Sequence, residues 1–157
     1  MSLTITIGCP GSGKSTWADK NLPAGTLRLE RDRFRECLWG SRRAYHDSPI
    51  DHSHRSDVIT TTMLAAMKSW PTTDWAVTDT GLRYEAVEPF IKHALYEQQD
   101  IKLVLFERAP AYLLSCNRIR PHAHRIPEEI LLESIEAFND LHAWWWLSEY
   151  PIVRAQY

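Results

Sequence analysis

Gly8-Cys9-Pro10-Gly11-Ser12-Gly13-Lys14-Ser15-Thr16 is the stretch whose reading decides the fold, because it meets every fixed position of the phosphate-binding pattern G-x-x-x-x-G-K-[ST]. Ahead of it, Leu3-Thr4-Ile5-Thr6-Ile7 alternates apolar and polar residues with β-branched side chains, the pattern of a strand. Behind it, residues 15–20 read as the opening of a helix. Strand, loop, helix is the order such a loop requires. Its glycines let the backbone wrap around an anion so that successive N–H groups point inward, and the helix N-terminus adds its partial positive charge. Gly8, Cys9, Pro10, Gly11, Ser12, Gly13, Lys14, Ser15 and Thr16 are therefore the expected phosphate-binding residues. Lys14 is placed for the β- and γ-phosphates and the Ser15 hydroxyl for Mg2+. A chance glycine turn gives no reason for strand, spacing, lysine and hydroxyl to coincide, so the chain is expected to bind a nucleoside triphosphate.

Working outward, 157 residues is the length of one ordinary domain, and a single domain over 1–157 is expected. With 44% hydrophobic and 24% charged residues the composition is that of a soluble globular protein, and no apolar run approaches a membrane span. The N-terminus enters a strand directly, without a charged-then-apolar leader. Cys9, Cys37 and Cys116 are an odd number at no metal-ligand spacing, which predicts a reduced, cytoplasmic protein, and the lack of a long apolar run predicts one that binds no membrane. A net charge of −2 excludes a general polyanion-coating surface but leaves room for a local basic site. Arg28, Arg31, Arg33, Arg35, Arg42 and Arg43 fall within sixteen residues, Arg118, Arg120 and Arg125 cluster later, and residues 128–149 are acidic. Solvated helix faces are the competing explanation for any one of these arginines.

Along the chain, residues 21–25 form a breaker-rich turn and residues 26–30 alternate as a second strand. A short helix is predicted over 31–39, with Asp32 in its first turn and Arg35 on the same face three residues later. Both then belong at the carboxyl end of the second strand, where α/β sheets place ligands. Residues 40–54 read as a polar loop with three histidines, and 56–70 as a helix. Residues 75–79 read as a buried strand that delivers Asp79 to the active edge. A helix over 84–98, a buried strand over 101–106 and a helix over 110–119 follow. A basic, proline-interrupted loop comes next, within a lid over about 118–127, and then a long helix from Pro127 to about Tyr150 and a last short strand over 152–154. Alternation at this spacing predicts an α/β fold of the P-loop NTPase or kinase type, a mainly parallel sheet of four to five strands with helices on both faces. The Trp144-Trp145-Trp146 run cannot all face one way on a helix, so one indole should enter the core and another lie outside, as structure or partner surface rather than a base-stacking platform.

The loop alone does not separate kinases from switches or motors. The guanine signature Asn-Lys-x-Asp is absent, and the short loop after Val77 lacks the paired acids of a motor ATPase. One acid after the second strand, one after the third and an arginine-bearing loop before the last helix suit phosphoryl transfer to a hydroxyl. Cys9, within the phosphate loop, reads as a small tolerated residue; the alternative is an exposed thiol beside the phosphate-binding amides, which would be oxidation-sensitive. The pairs His52-x-His54 and His122-x-His124 fall in predicted loops without a ligand set and read as surface histidines.

These residues resemble the kinase half of phage polynucleotide kinase-phosphatase, a 5′-hydroxyl polynucleotide kinase. The likeness starts at residues 6–18, whose Cys-Pro filling and trailing Trp17-Ala18 go beyond the generic loop. It continues through Arg31-Asp32-x-Phe34-Arg35, Asp79-Thr80 and Asn117-x-x-Arg120 ahead of Pro127, with a lid about one residue longer than the family pattern. The phosphatase half, with its Asp-x-Asp-Gly-Thr nucleophile motif, is absent from this sequence. The resemblance implies transfer of the γ-phosphate of ATP, with Mg2+, to 5′-hydroxyl ends of DNA or RNA in end healing before a ligase, by a monomer or homodimer. It makes Asp32 the general base, Arg35 the holder of the acceptor phosphate 3′ to the reacting nucleoside, and Asp79 an organiser of the acceptor side or of a Mg2+-bound water. Arg120 would close over the triphosphate, with Arg118 and Arg125 as substitutes. The bland readings are a first-turn acid complementing a helix dipole for Asp32, a surface ion pair for Arg35 and a strand-end turn for Asp79. Two other functions stay open: a small-molecule kinase acting on a sugar, nucleoside or antibiotic hydroxyl, and a nucleotide-binding adaptor with little turnover.

Overall fold

The structure, a computed structural model, describes residues 1–157 apart from 42, 43, 46, 141–144 and 157 and the side chains of 123 and 145. Five strands form one parallel sheet in the order β2-β3-β1-β4-β5, namely β1 (Ser2–Ile7), β2 (Leu27–Leu29), β3 (Trp75–Val77), β4 (Asp100–Leu105) and β5 (Ile152–Arg154). The helices are α1 (Lys14–Asn21), α2 (Arg31–Trp39), α3 (His52–Ser69), α4 (Tyr84–Tyr96), α5 (Pro110–Ile119) and α6 (Glu128–Asn139). Short 3-10 turns lie at His122–His124 and Trp145–Glu149. The expected α/β sheet of four to five parallel strands is thus present, with five.

Alternation along β1 explains how the sheet is covered. Leu3, Ile5 and Ile7 point into the main core, against Ile59, Met63 and Met67 of α3, Phe90 and Ile91 of α4, and Trp146. A smaller apolar cluster of Cys9, Leu113, Leu131 and Ile135 brings α5 and α6 against the loop that follows β1. β1 pairs with β3 on one side and with β4 on the other, from Ser2↔Asp100 to Ile7↔Leu105. Its carboxyl end is therefore the switch point at which α/β sheets open a ligand crevice.

Two elements differ from the sequence reading. The loop expected through His54 ends earlier, because the Asp51 side chain accepts from the backbone N–H of Ser53 and starts α3 at His52. His52 and His54 therefore stand on a helix. The last long helix stops at Asn139 rather than near Tyr150. Continuing it would carry the chain about 16 Å further at 1.5 Å per residue. The chain must instead return to the sheet edge, where Leu103 donates to the Pro151 carbonyl at 2.9 Å and β5 begins. The indole of Trp146 is buried in the core, as one of the tryptophan run was expected to be. Trp144 and the Trp145 side chain lie outside the described residues.

Candidate active site

The loop is built around two left-handed glycines, Gly11 at φ 85° and Gly13 at φ 96°. Gly13 caps α1 without any side-chain hydrogen bond, so the first N–H groups of that helix stay open to an anion. Gly8 sits where no side chain fits: a Cβ there would lie 2.7 Å from Phe106 Cβ and 2.8 Å from Ser12 Oγ. The loop is tied down from below, since Gly8 N donates to Thr80 O at 2.9 Å and Thr6 Oγ1 to Asp79 O at 3.2 Å. Gly81, at φ 60°, lets the segment after β3 run within touching distance of Thr6 O.

Lys14 Nζ folds back into the loop and donates to the carbonyl oxygens of Gly8 and Cys9, both at 2.8 Å. Burial lowers its pKa to about 8; Asp79 and Asp32 oppose that shift, and Arg120 adds to it. Asp32, Asp79 and Arg120, distant in sequence, thus share one electrostatic neighbourhood with the loop lysine. Ser15 and Thr16 are exposed on the first turn of α1. For Cys9 the alternative of an exposed thiol is removed. Its thiol is buried, donates to Ser134 O at 3.3 Å and is held above its usual pKa by burial, so it packs the loop against α6 and is not the exposed, oxidation-sensitive group the sequence left open.

α2 opens directly after β2 and sets Asp32 in its first turn, half-exposed, where Asp32 Oδ1 accepts from Arg35 Nη1 at 2.8 Å. The Arg35 guanidinium lies 4.9 Å from the centre of the Tyr45 ring. Asp79 has both carboxylate oxygens engaged: Oδ1 accepts from Thr80 N at 2.7 Å and Oδ2 pairs with Arg31 Nε at 2.6 Å. Arg31 is buried and also donates through Nη2 to Thr60 Oγ1 at 2.9 Å and Ala86 O at 3.4 Å. It therefore fastens α2 to the loop after β3, to α3 and to α4. The sequence reading passed over this tie, although Arg31 stood inside the quoted motif.

The basic stretch is largely neutralised within the fold. Arg28 pairs with Asp19 and Glu30, and Arg33 with Glu30 at 2.8 Å. Arg42 and Arg43 lie outside the described residues.

Between α5 and α6, Asn117 closes the lid. Its Nδ2 donates to Ile126 O at 2.7 Å and its Oδ1 accepts from Ile126 N at 3.0 Å. Arg125 donates to the carbonyls of Arg118 at 2.7 Å and Arg120 at 3.3 Å, so it supports the lid backbone. Arg118 leans outward to Glu128 at 3.6 Å. Arg120 faces the loop: its Nη2 lies 3.5 Å from where a Cβ on Gly11 would sit. A side chain at Gly11 would stand between loop and arginine, so its absence leaves the loop backbone and the guanidinium facing each other. The residues present thus fit a triphosphate. Among the described residues no helix is long and apolar enough to cross a membrane, and no group of three or more His, Cys, Asp or Glu could hold a metal ion.

Residues 3–143 match the family model AAA_33, an AAA domain. The chain belongs to this family. The chain has a P-loop kinase-like fold. A chain of the Pnkp1/Rnl/Hen1 RNA repair complex superposes with a TM-score of 0.71 at 20% identity, over 90% of this chain and 45% of that one. AvrRxo1-ORF1:-ORF2 solved with ATP gives 0.67 at 16%, over 91% and 48%. The shikimate kinase of Bacteroides thetaiotaomicron gives 0.62 at 17%, over 98% and 86%. The AAA domain therefore spans less than half the length of the first two. No curated protein matches the sequence.

Proposed function

We propose that the protein is an ATP-dependent 5′-hydroxyl polynucleotide kinase, acting on ends of DNA or RNA strands. The observation that carries this reading is the Asp32–Arg35 pair, held at the carboxyl edge of the sheet within the electrostatic reach of Lys14. It joins a proton acceptor to a phosphate-binding guanidinium, which a terminal hydroxyl with a phosphate one sugar away would use together.

The loop N–H groups and Lys14 bind the triphosphate, for which Lys14 exchanges the Gly8 and Cys9 carbonyls for phosphate oxygens. Asp32 takes the proton of the acceptor hydroxyl as that oxygen bonds to the γ-phosphorus and the bond to the β-phosphate oxygen breaks, releasing ADP. Arg35 holds the nearer acceptor phosphate. Arg120 neutralises charge on the transferring group. Asp79 acts through Arg31, holding α2 and hence Asp32 in register with the loop. Ser15 is the residue that would hold Mg2+, which supplies further charge neutralisation on the phosphates. A ligase as a pathway partner fits this role, and a monomer or homodimer is compatible with it.

The test is transfer of labelled γ-phosphate from ATP to short 5′-hydroxyl DNA and RNA, beside nucleoside 3′-phosphates and a panel of sugars, nucleosides and antibiotics. Label on strand ends that disappears with Lys14→Ala and falls about 10²- to 10⁴-fold with Asp32→Asn is the expected result. Label confined to a small molecule would replace this reading with that kinase. ATP binding without transfer to any acceptor would favour the adaptor.

A further inference from the structure

Among the described residues, Arg55 is a buried charge without a charged partner. It stands on the first turn of α3 and is only 7% exposed. Its Nε and Nη1 are closed off from water and have no hydrogen-bond partner, and among the described residues no carboxylate pairs with it. A guanidinium does not give up its proton in a protein, so burial cannot be relieved by neutralisation. A buried charge left without a counterpart is unfavourable. What the fold supplies is the face of Tyr45, whose ring centre lies 4.6 Å from the Arg55 guanidinium carbon. The Arg35 guanidinium lies over the same ring at 4.9 Å. The ring is itself gripped edge-on by Trp39 at 5.1 Å, so both cations are held by one rigid support. Arg35 shares its charge with Asp32, whereas Arg55 shares its charge with nothing the described residues provide.

We propose that Arg55, which packs like Arg35 on the ring of Tyr45, is a second phosphate position of the acceptor site, taking the phosphodiester that follows the one at Arg35. This rests on the polynucleotide kinase reading and deepens it. The order along the site becomes hydroxyl at Asp32, first phosphate at Arg35, second phosphate at Arg55. The favoured acceptor is then a strand with at least two phosphates, and a nucleoside 3′-monophosphate leaves Arg55 unfilled.

The experiment compares kcat/KM for a nucleoside 3′-monophosphate, a 5′-hydroxyl trinucleotide, and the same trinucleotide with a neutral methylphosphonate at its second linkage. In the unaltered protein the neutral linkage is expected to lower kcat/KM about tenfold to a hundredfold, the worth of one charge-assisted hydrogen bond. Arg55→Gln should bring the two trinucleotides level while transfer to the monophosphate stays within about twofold, and Arg55→Lys should restore part of the difference. Equal rates for the two trinucleotides in the unaltered protein overturn the proposal without any variant having to fold. An Arg55→Gln protein that melts as the parent does but loses all three acceptors in proportion also overturns it, leaving Arg55 a packing residue. If no oligonucleotide is labelled at all, the polynucleotide reading fails first and this inference falls with it, a result distinct from labelled trinucleotides of equal rate.

Discussion

Lys14 shows how one residue couples charge, burial and ligand. Its ammonium satisfies itself on two backbone carbonyls, and its pKa is lowered to about 8 because burial disfavours the charged form. A triphosphate favours the ammonium and raises that pKa, so above pH 8 binding must take up a proton. ATP affinity is therefore expected to be flat below pH 8 and to fall by up to about tenfold per unit above it. Calorimetry at pH 8.5 in two buffers of unlike ionisation enthalpy reads the uptake, and Lys14→Met should abolish it. The lid arginines make a second residue-level prediction under the proposed function. Arg120→Ala should lower kcat by about 10³- to 10⁵-fold, as loss of a transition-state arginine does elsewhere. Arg118→Ala, removing only an outward pair with Glu128, should leave kcat within about twofold. Single-turnover rates for the two variants, measured side by side, decide between them.

At the scale of elements, the site depends on ties between segments that carry no chemistry of their own. Arg31 links α2, the loop after β3, α3 and α4, and Asn117 fastens the first residue of the lid to its far end. Asn117 is buried, so Asn117→Leu strands the N–H and carbonyl of Ile126 without partners. The expected cost is about 1–3 kcal/mol of local stability. Amide exchange at Ile126 should quicken, and kcat should fall because Arg120 loses its anchor. Unchanged exchange would mean that Arg125 alone holds the lid. Element placement also explains where the sequence reading slipped. The helix over 128–139 was legible from its Pro127 start, but its end was not. Asn139-Asp140 is a modest stop, and what ends the helix there is the need to bring residue 152 back beside Leu103.

For the whole molecule, the two cores carry unequal loads. The main core packs α3, α4 and Trp146 on one face of the sheet, while the cluster around Cys9 joins the phosphate loop to the lid helices. Trp146→Ala should cost about 3–5 kcal/mol by opening a cavity, and so lower Tm by roughly 10 °C. Because Trp146 lies among residues of the main core and not in the loop–lid cluster, ATP binding by the folded fraction should be retained. Thermal unfolding with and without ATP would reveal both effects.

The sequence by itself determined the phosphate loop, the α/β alternation and the candidates Asp32, Arg35 and Asp79, because each is written in local spacing: a motif, a period of two, a residue three along a helix. It also carried the family resemblance, which singled out Arg120 among the lid arginines. The tertiary structure alone decided which lid arginine faces the loop, that Cys9 is buried, that both oxygens of Asp79 are engaged, and that Arg55 and Arg35 both pack on the ring of Tyr45. Those facts depend on contacts between segments far apart in the chain. No periodicity or spacing records such contacts, because they arise only when β1 takes its place between β3 and β4 and the helices close over both faces of the sheet.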